Sequence, residues 1–271
     1  MRTALPVLDR PYGSDLIRLD HLSHSAIQSF QTCPRQFMFR YVLRLPDEKT
    51  FTSLVFGTSL HAAVEAHFRN IMEGQAPPDL DTLLGIFWDA WQCEEKPIHF
   101  NKKEDLDTIG HLADWMLRTF QGSDFARPRG RIVGIEERLR GVVVENCPDF
   151  EARIDLIVKA QDALVVTDFK TALSRWNPAK VEASAPQLLV YGKLTEDMAD
   201  GRPLRLNFAV LTKRKKPILT LHPVGSAAEQ MEQTCQTIRE TWYAIQEGDF
   251  YPNPSPAHCP RCPFQETCRT W

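Results

Sequence analysis

The chain has 271 residues, of which 43% are hydrophobic and 25% charged, and its formal net charge is −3. That length and balance suit one large globular domain or two intimate ones with a buried core, and they exclude a nucleic-acid surface made by overall charge; such a surface has to be a local basic strip. Seven cysteines, an odd number, with no signal-like apolar segment ahead of them, point to a reducing cytoplasm and against a disulfide framework, while no run reaches membrane-spanning length and no GxxxxGK[ST] loop occurs.

Residues 1–20 are of mixed polarity and carry two prolines, which predicts a loosely held arm. From Leu22 to Phe30 a helix is expected, with Ser23 as its N-cap and Ile27 and Phe30 on its apolar stripe. Cys33-Pro34 follows, then the aromatic run Phe37-Met38-Phe39-Arg40-Tyr41, which taken alone reads as core. Over Phe56–Phe68 a turn is expected, then a cap at Thr58 or Ser59, then an amphipathic helix with Leu60, Val64 and Phe68 on one stripe. His61 stands beside that stripe, and Glu65 lies one turn along on its face. Leu80–Phe125 reads as two or three further helices whose aromatic residues are core.

After Pro128 the composition changes. Arg131–Leu139 reads as a strand with Val133, Ile135, Glu137 and Leu139 on one face, so Glu137 is an acid on the apolar side and Glu136 faces solvent. Phe150–Val158 and Ala163–Phe169 then read as the two strands of a hairpin closed at residues 160–163. In that register Asp155 falls opposite Asp168, where like charges repel, and Lys170 shares the face of Asp168. The flanking run Leu164-Val165-Val166 predicts burial, in which unpaired carboxylates are costly. A divalent cation removes both penalties. Carboxylate oxygens suit magnesium or manganese, and a lysine beside them can polarise water or neutralise a phosphoryl oxygen, which is the chemistry of phosphodiester hydrolysis.

Pro178–Met198 reads as a helix that sets Gln187 and Tyr191 four residues apart on one face; the pair is either a polar edge or a grip on a nucleic-acid backbone. Strands are expected over Leu204–Leu211 and Ile218–Leu221, joined by a turn carrying Lys213, Arg214, Lys215 and Lys216, the strongest candidates for phosphate contact. A closing helix over Ser226–Glu247 leads to a tail with Cys259, Cys262 and Cys268 in a C-x2-C-x5-C array held by prolines. That array is a metal-binding pattern, and its spacing leaves zinc and an iron–sulfur cluster open. Cys93, Cys147 and Cys235 read as ordinary thiols.

Asp155 followed by Asp168-Phe169-Lys170 resembles the signature of the PD-(D/E)xK nucleases, and the flanking motifs, which cover almost the whole chain, resemble their RecB-like exonuclease branch. The resemblance implies an α/β fold: a mixed sheet flanked by helices, with a core over residues 129–250, a helical wall over 21–128 and a cluster-binding tail over 251–271, all in one domain. It implies that His61 and the Phe169 carbonyl join Asp155 and Asp168 as ligands to magnesium or manganese, the imidazole favouring manganese. It further implies that the strand before the hairpin lends an acid to the site, for which Glu137 is the candidate, and that the Gln187–Tyr191 helix packs beside it. Cys33 becomes the fourth ligand, with Cys259, Cys262 and Cys268, of a four-iron–four-sulfur cluster that staples the first helix to the last loop. The implied activity is a metal-dependent exonuclease acting on single-stranded or open-ended DNA in repair or recombination. A CRISPR-adaptation trimming nuclease, or a DNA-end-binding module of a helicase–nuclease assembly that has lost catalysis, are the other readings.

Overall fold

The computed structural model describes residues 17, 19–225 and 228–271. The expected arm over 1–20 lies almost wholly outside the described residues, as do Ser226 and Ala227 at the start of the expected closing helix. The chain forms two compact units that interleave in sequence. One is drawn from the described residues up to Glu48, Gly141–Glu151 and Glu232–Trp271; the other from Lys49–Arg140 and Ala152–Met231.

The first unit opens with α1 (His24–Thr32), whose N-cap Ser23 accepts the Ala26 N–H at 3.2 Å as expected. Cys33 ends α1 and begins the short α2 (Pro34–Phe37), because Pro34 restarts a helix at its first position, where no N–H is needed. A π-helical turn, Met38–Val42, follows. Its core is largely aromatic: Phe30, Phe37, Phe39, Phe250 and Phe264 are buried, with Phe37 stacked on Tyr41 at 5.0 Å. The unit closes with most of α8 (Ala228–Gln246) and with α9 (Gln265–Thr270).

The second unit is built on a five-stranded mixed sheet in the order β3-β4-β5-β6-β7: β3 (Arg131–Gly141), β4 (Phe150–Lys159, joined from Ala152), β5 (Leu164–Ala172), β6 (Leu204–Thr212) and β7 (Leu219–Val224). The β4–β5 pair is antiparallel, β5–β6 parallel and β6–β7 antiparallel. Pro223 is tolerated in β7 because that strand lies at the sheet edge. The short parallel pair β1 (Thr50–Phe51) and β2 (Ile98–His99) stands apart from the main sheet. One buried cluster joins α3 (Thr52–Met72), α4 (Leu80–Gln92) and α5 (Leu106–Gln121) to Leu156, Phe169 and Leu211; Phe87, Trp91 and Met116 lie in it, as the core reading expected. A second cluster packs Leu188, Leu189 and Tyr191 of α6 (Pro178–Leu194) against Val166, Leu206 and Phe208. The expected helix over 178–198 breaks at Thr195, and α7 (Glu196–Ala199) follows.

Two local expectations are corrected. No turn interrupts Phe56-Gly57-Thr58: α3 begins at Thr52, whose hydroxyl donates to the His99 carbonyl at 2.9 Å and anchors the helix start. Ser59 is therefore no cap but a fully buried residue inside the helix. The second correction is in β3, where alternation slips. Ile132 and Ile135 enter one core cluster while Val133 and Leu139 enter the other, so strict two-residue periodicity does not hold. Glu136 sits at this slip with a left-handed backbone, φ 49°. Among the described residues no helix is long and apolar enough to cross a membrane.

Candidate active site

The hairpin loop spans residues 160–163 with the Ala160 N–H on the Ala163 carbonyl at 2.9 Å, and this fixes the register at Leu156 against Thr167. Continued by one residue, that register sets Asp155 against Asp168. Asp155 Oδ2 there accepts the Phe169 N–H at 2.6 Å, a side chain taking a donor where the ladder opens. Asp168 is only 2% exposed. Its Oδ1 accepts the Gln187 Nε2–H at 2.9 Å, and Gln187 Nε2 also donates to the Tyr191 hydroxyl at 2.7 Å. Its Oδ2 lies 2.8 Å from Lys170 Nζ, a charge contact that lacks the alignment of a hydrogen bond and leaves this buried oxygen without one.

From α3, His61 Nδ1 stands 3.6 Å from Glu136 Oε1 and 3.7 Å from Asp155 Oδ1, and its ring meets Phe169 edge-on at 5.2 Å. Glu136 Oε2 lies 2.5 Å from Arg153 Nε. His61, Glu136 and Asp155 each offer a ligand atom within 4.8 Å of the others, and among the described residues no other trio of His, Cys, Asp or Glu does so. His61 and Glu136, with Arg153, Lys170 and Thr171, line an open cleft of about 420 Å³. Glu65 also lines it and pairs with Arg69 one turn along the helix.

The electrostatics follow from crowding acids in a buried place. Burial first, then the charge of Asp168, push the Asp155 carboxyl up to about 7, against the pull of His61. For His61, burial alone would lower the pKa, but the close contact with Glu136 and the charges of Asp155, Glu136 and Asp168 together raise it. Burial would raise Glu136, yet His61 and Arg153 outweigh it and lower it. Tyr191 is raised, by burial and then by Asp168. A cation seated among these acids would take over the role the protons and His61 now share. The orphaned Asp168 Oδ2 and the His–Glu–Asp trio, with hard oxygen donors dominant, fit magnesium or manganese.

The profile of the PD-(D/E)XK nuclease superfamily matches residues 21–269. The chain belongs to that superfamily. The mixed sheet flanked by helices is the restriction-endonuclease-like core of that superfamily. Among solved structures 25 chains match. One, a putative exonuclease from Eubacterium rectale, aligns at 14% identity with a TM-score of 0.56, over 96% of this chain and 93% of that one, and shows the shared fold. Another, SSO0001, reaches a TM-score of 0.35 at 14% identity over 82% of this chain and 87% of that one, a likeness too slight to carry an argument. No curated protein matches the chain.

His61, Asp155, Asp168 and Lys170 are thus brought together, with Gln187 and Tyr191 behind them. Gln187 spends its amide on Asp168, and Tyr191 is 6% exposed, so the pair orients the carboxylate and does not present itself as a grip on a backbone. Glu137 is not brought in. It points to solvent, and Glu136 takes the inward position that alternation had assigned to its neighbour, because the slip in β3 shifts the face by one residue. Two adjacent acids on the strand were the only sequence signal for it. Arg153 carried no signal beyond its place two residues before Asp155. The basic turn also divides: Lys213 lies over the Phe56 ring at 4.9 Å and donates to the Ser53 carbonyl, while Arg214, Lys215 and Lys216 are exposed. Burial pulls the Lys213 ammonium down to about 8.

Cys33, Cys259, Cys262 and Cys268 fall in the first unit: Cys33 between α1 and α2, Cys259 in a 3-10 turn, Cys262 just after it and Cys268 in α9. The Asn253 and Ser255 N–H groups point at the Cys33 and Cys259 sulfurs at 3.5 and 3.2 Å. Burial, with the other three thiols, raises the Cys262 thiol against the pull of a backbone hydrogen bond at Phe264, while Arg35 lies against Cys268.

Proposed function

We propose that this chain is a divalent-metal-dependent deoxyribonuclease that shortens DNA from single-stranded or open ends. The observation that carries the reading is that a buried, incompletely hydrogen-bonded Asp168, and Asp155, lie against the Lys170 and His61 that line one cleft with Glu136. His61, Glu136, Asp155 and Asp168, with the Phe169 carbonyl, would hold magnesium or manganese, which when bound supplies an activated water and a positive charge for the phosphoryl oxygens. The protein's own part is positional. Gln187 and the Phe169 N–H fix the two carboxylates, and Lys170 sets an ammonium where charge develops on the phosphate. The completeness of this set favours catalysis over a binding module that has lost its chemistry. Arg214, Lys215 and Lys216 are the exposed part of the basic turn and supply phosphate contacts outside the cleft.

For the cysteines the reading is a four-iron–four-sulfur cluster on Cys33, Cys259, Cys262 and Cys268, with zinc as the weaker fit. Backbone N–H groups aimed at two sulfurs and a guanidinium beside a third are the donors that ligated thiolates use. The cluster would act as a covalent staple within its unit.

The test is digestion of end-labelled linear single-stranded, linear duplex and circular DNA by anaerobically purified protein, with manganese, magnesium or chelator. Loss of the linear substrates only, abolished by chelator, is the expected result. Intact DNA under every metal would sink the nuclease reading; cutting of circles would sink the exonuclease part alone.

A further inference from the structure

Two carboxylates opposed across a hairpin demand a cation between them. The same count, two residues further from the loop and beyond the paired residues, brings two cations to one level of the hairpin. The β4–β5 register pairs Leu156 with Thr167, where the ladder ends; counted on past Asp155 and Asp168 it brings Arg153 level with Lys170. Side chains alternate along a strand, so Arg153 shares a face with Asp155 and Lys170 with Asp168. Both cations line the catalytic cleft. Like charges opposed in this way destabilise a strand pair unless something negative lies between or beside them.

Each cation leans on an acid of its own: Lys170 on Asp168, and Arg153, through Nε, on Glu136. Neither is consumed by that contact. The Arg153 side chain is 57% exposed and the Lys170 side chain 34% exposed, whereas Glu136 is 11% and Asp168 3% exposed. A guanidinium carries five N–H donors in a planar fork that matches phosphate oxygens, and the Glu136 contact commits only the edge bearing Nε. The carboxylates are thus buried at the base while the cations face the opening.

We propose that Arg153 and Lys170 form a phosphate seat for a nucleic-acid strand, with Arg153 binding the backbone phosphate next to the one that is cut. The inference rests on the nuclease reading and specifies how that site grips its substrate. The rival role for Arg153 is to hold Glu136 and nothing more. The two differ in what they move: a phosphate contact changes the salt dependence of binding, and a brace for Glu136 changes metal affinity.

The experiment compares wild type, Arg153→Ala and Arg153→Lys as full chains. Binding to a single-stranded oligodeoxynucleotide is measured in chelator across a salt series, Mn²⁺ binding by electron paramagnetic resonance, and kcat and KM with Mn²⁺. For Arg153→Ala the expected result is binding weakened roughly tenfold, with the slope of log K against log salt reduced by about 0.7, one phosphate contact on a single strand. KM rises, kcat changes less, Mn²⁺ binding is kept or tightened, and Arg153→Lys recovers the slope. An unchanged slope and affinity in Arg153→Ala overturns the proposal, and so does a loss of Mn²⁺ binding with the slope intact. Wild-type protein that neither binds nor cuts the oligonucleotide defeats the underlying nuclease reading, and that failure is seen without any variant.

Discussion

In the unit that carries His61, Asp155 and Asp168, every chemical side chain projects from a long helix or from a strand of the five-stranded sheet. In the unit that carries the cysteines, the four sulfurs sit at a helix junction, in and just after a 3-10 turn, and on a six-residue helix. The first constellation is held by backbone ladders and by dedicated partners such as Gln187, so its geometry exists before anything binds. The second is held by short elements over a small aromatic core, where the proposed cluster would have to do much of the holding. On the proposed reading, a site for fast chemistry needs preorganisation, and a staple needs only to be closed.

The largest effect expected from this contrast lies at Lys170 and Asp168. Lys170→Ala should lower the cleavage rate about 10²–10³-fold, and Asp168→Ala at least as much, with circular dichroism and the thermal midpoint little changed. If either variant unfolds, the site is not independent of the fold that carries it. The opposite signature is expected at Cys262→Ser: visible absorbance is lost, and limited proteolysis then cleaves between Glu232 and Trp271 while Lys49–Arg140 resists. Equal resistance of both regions would remove the distinction between the units.

Smaller effects separate neighbours. Glu136→Gln should weaken Mn²⁺ binding about 10–100-fold, measured by titration, while Glu137→Gln leaves it unchanged; the reverse result would mean that β3 does not slip as described. The smallest effect concerns Lys213. Its ammonium is held down to about 8 in the folded chain against the ordinary 10.5, so the unfolded chain binds the proton more tightly. The penalty is fully present below about pH 8 and is relieved as pH rises from there toward 10.5, so wild-type stability gains over that window. Denaturant midpoints of Lys213→Met relative to wild type should therefore fall as pH climbs from 7 to 10. A flat difference would show that the ammonium is solvated.

Much of the site was legible in the sequence, for a physical reason particular to hairpins. Once residues 160–163 form the loop, chain connectivity sets Asp155 against Asp168, and two-residue alternation carries Lys170 to the same face. Nothing distant has to be known. The Ser23 cap, the apolar stripe of α3 and the aromatic core of α4 and α5 were legible on the same local grounds. The start of α3 was not, because Thr52 is fixed by a carbonyl 47 residues away.

By itself, then, the sequence determined the carboxylate-bearing hairpin, the order of helices and strands, and the residue types able to hold a divalent cation. Only the tertiary structure decided which of two adjacent glutamates faces His61, that Gln187 turns to Asp168 while Tyr191 is buried, that Lys213 lies against Phe56, and that the chain divides into two interleaved units. The dividing line is range. Spacing fixes what one turn or one strand pair can bring together, whereas a slipped strand or a buried ammonium is set by packing between segments far apart in the chain.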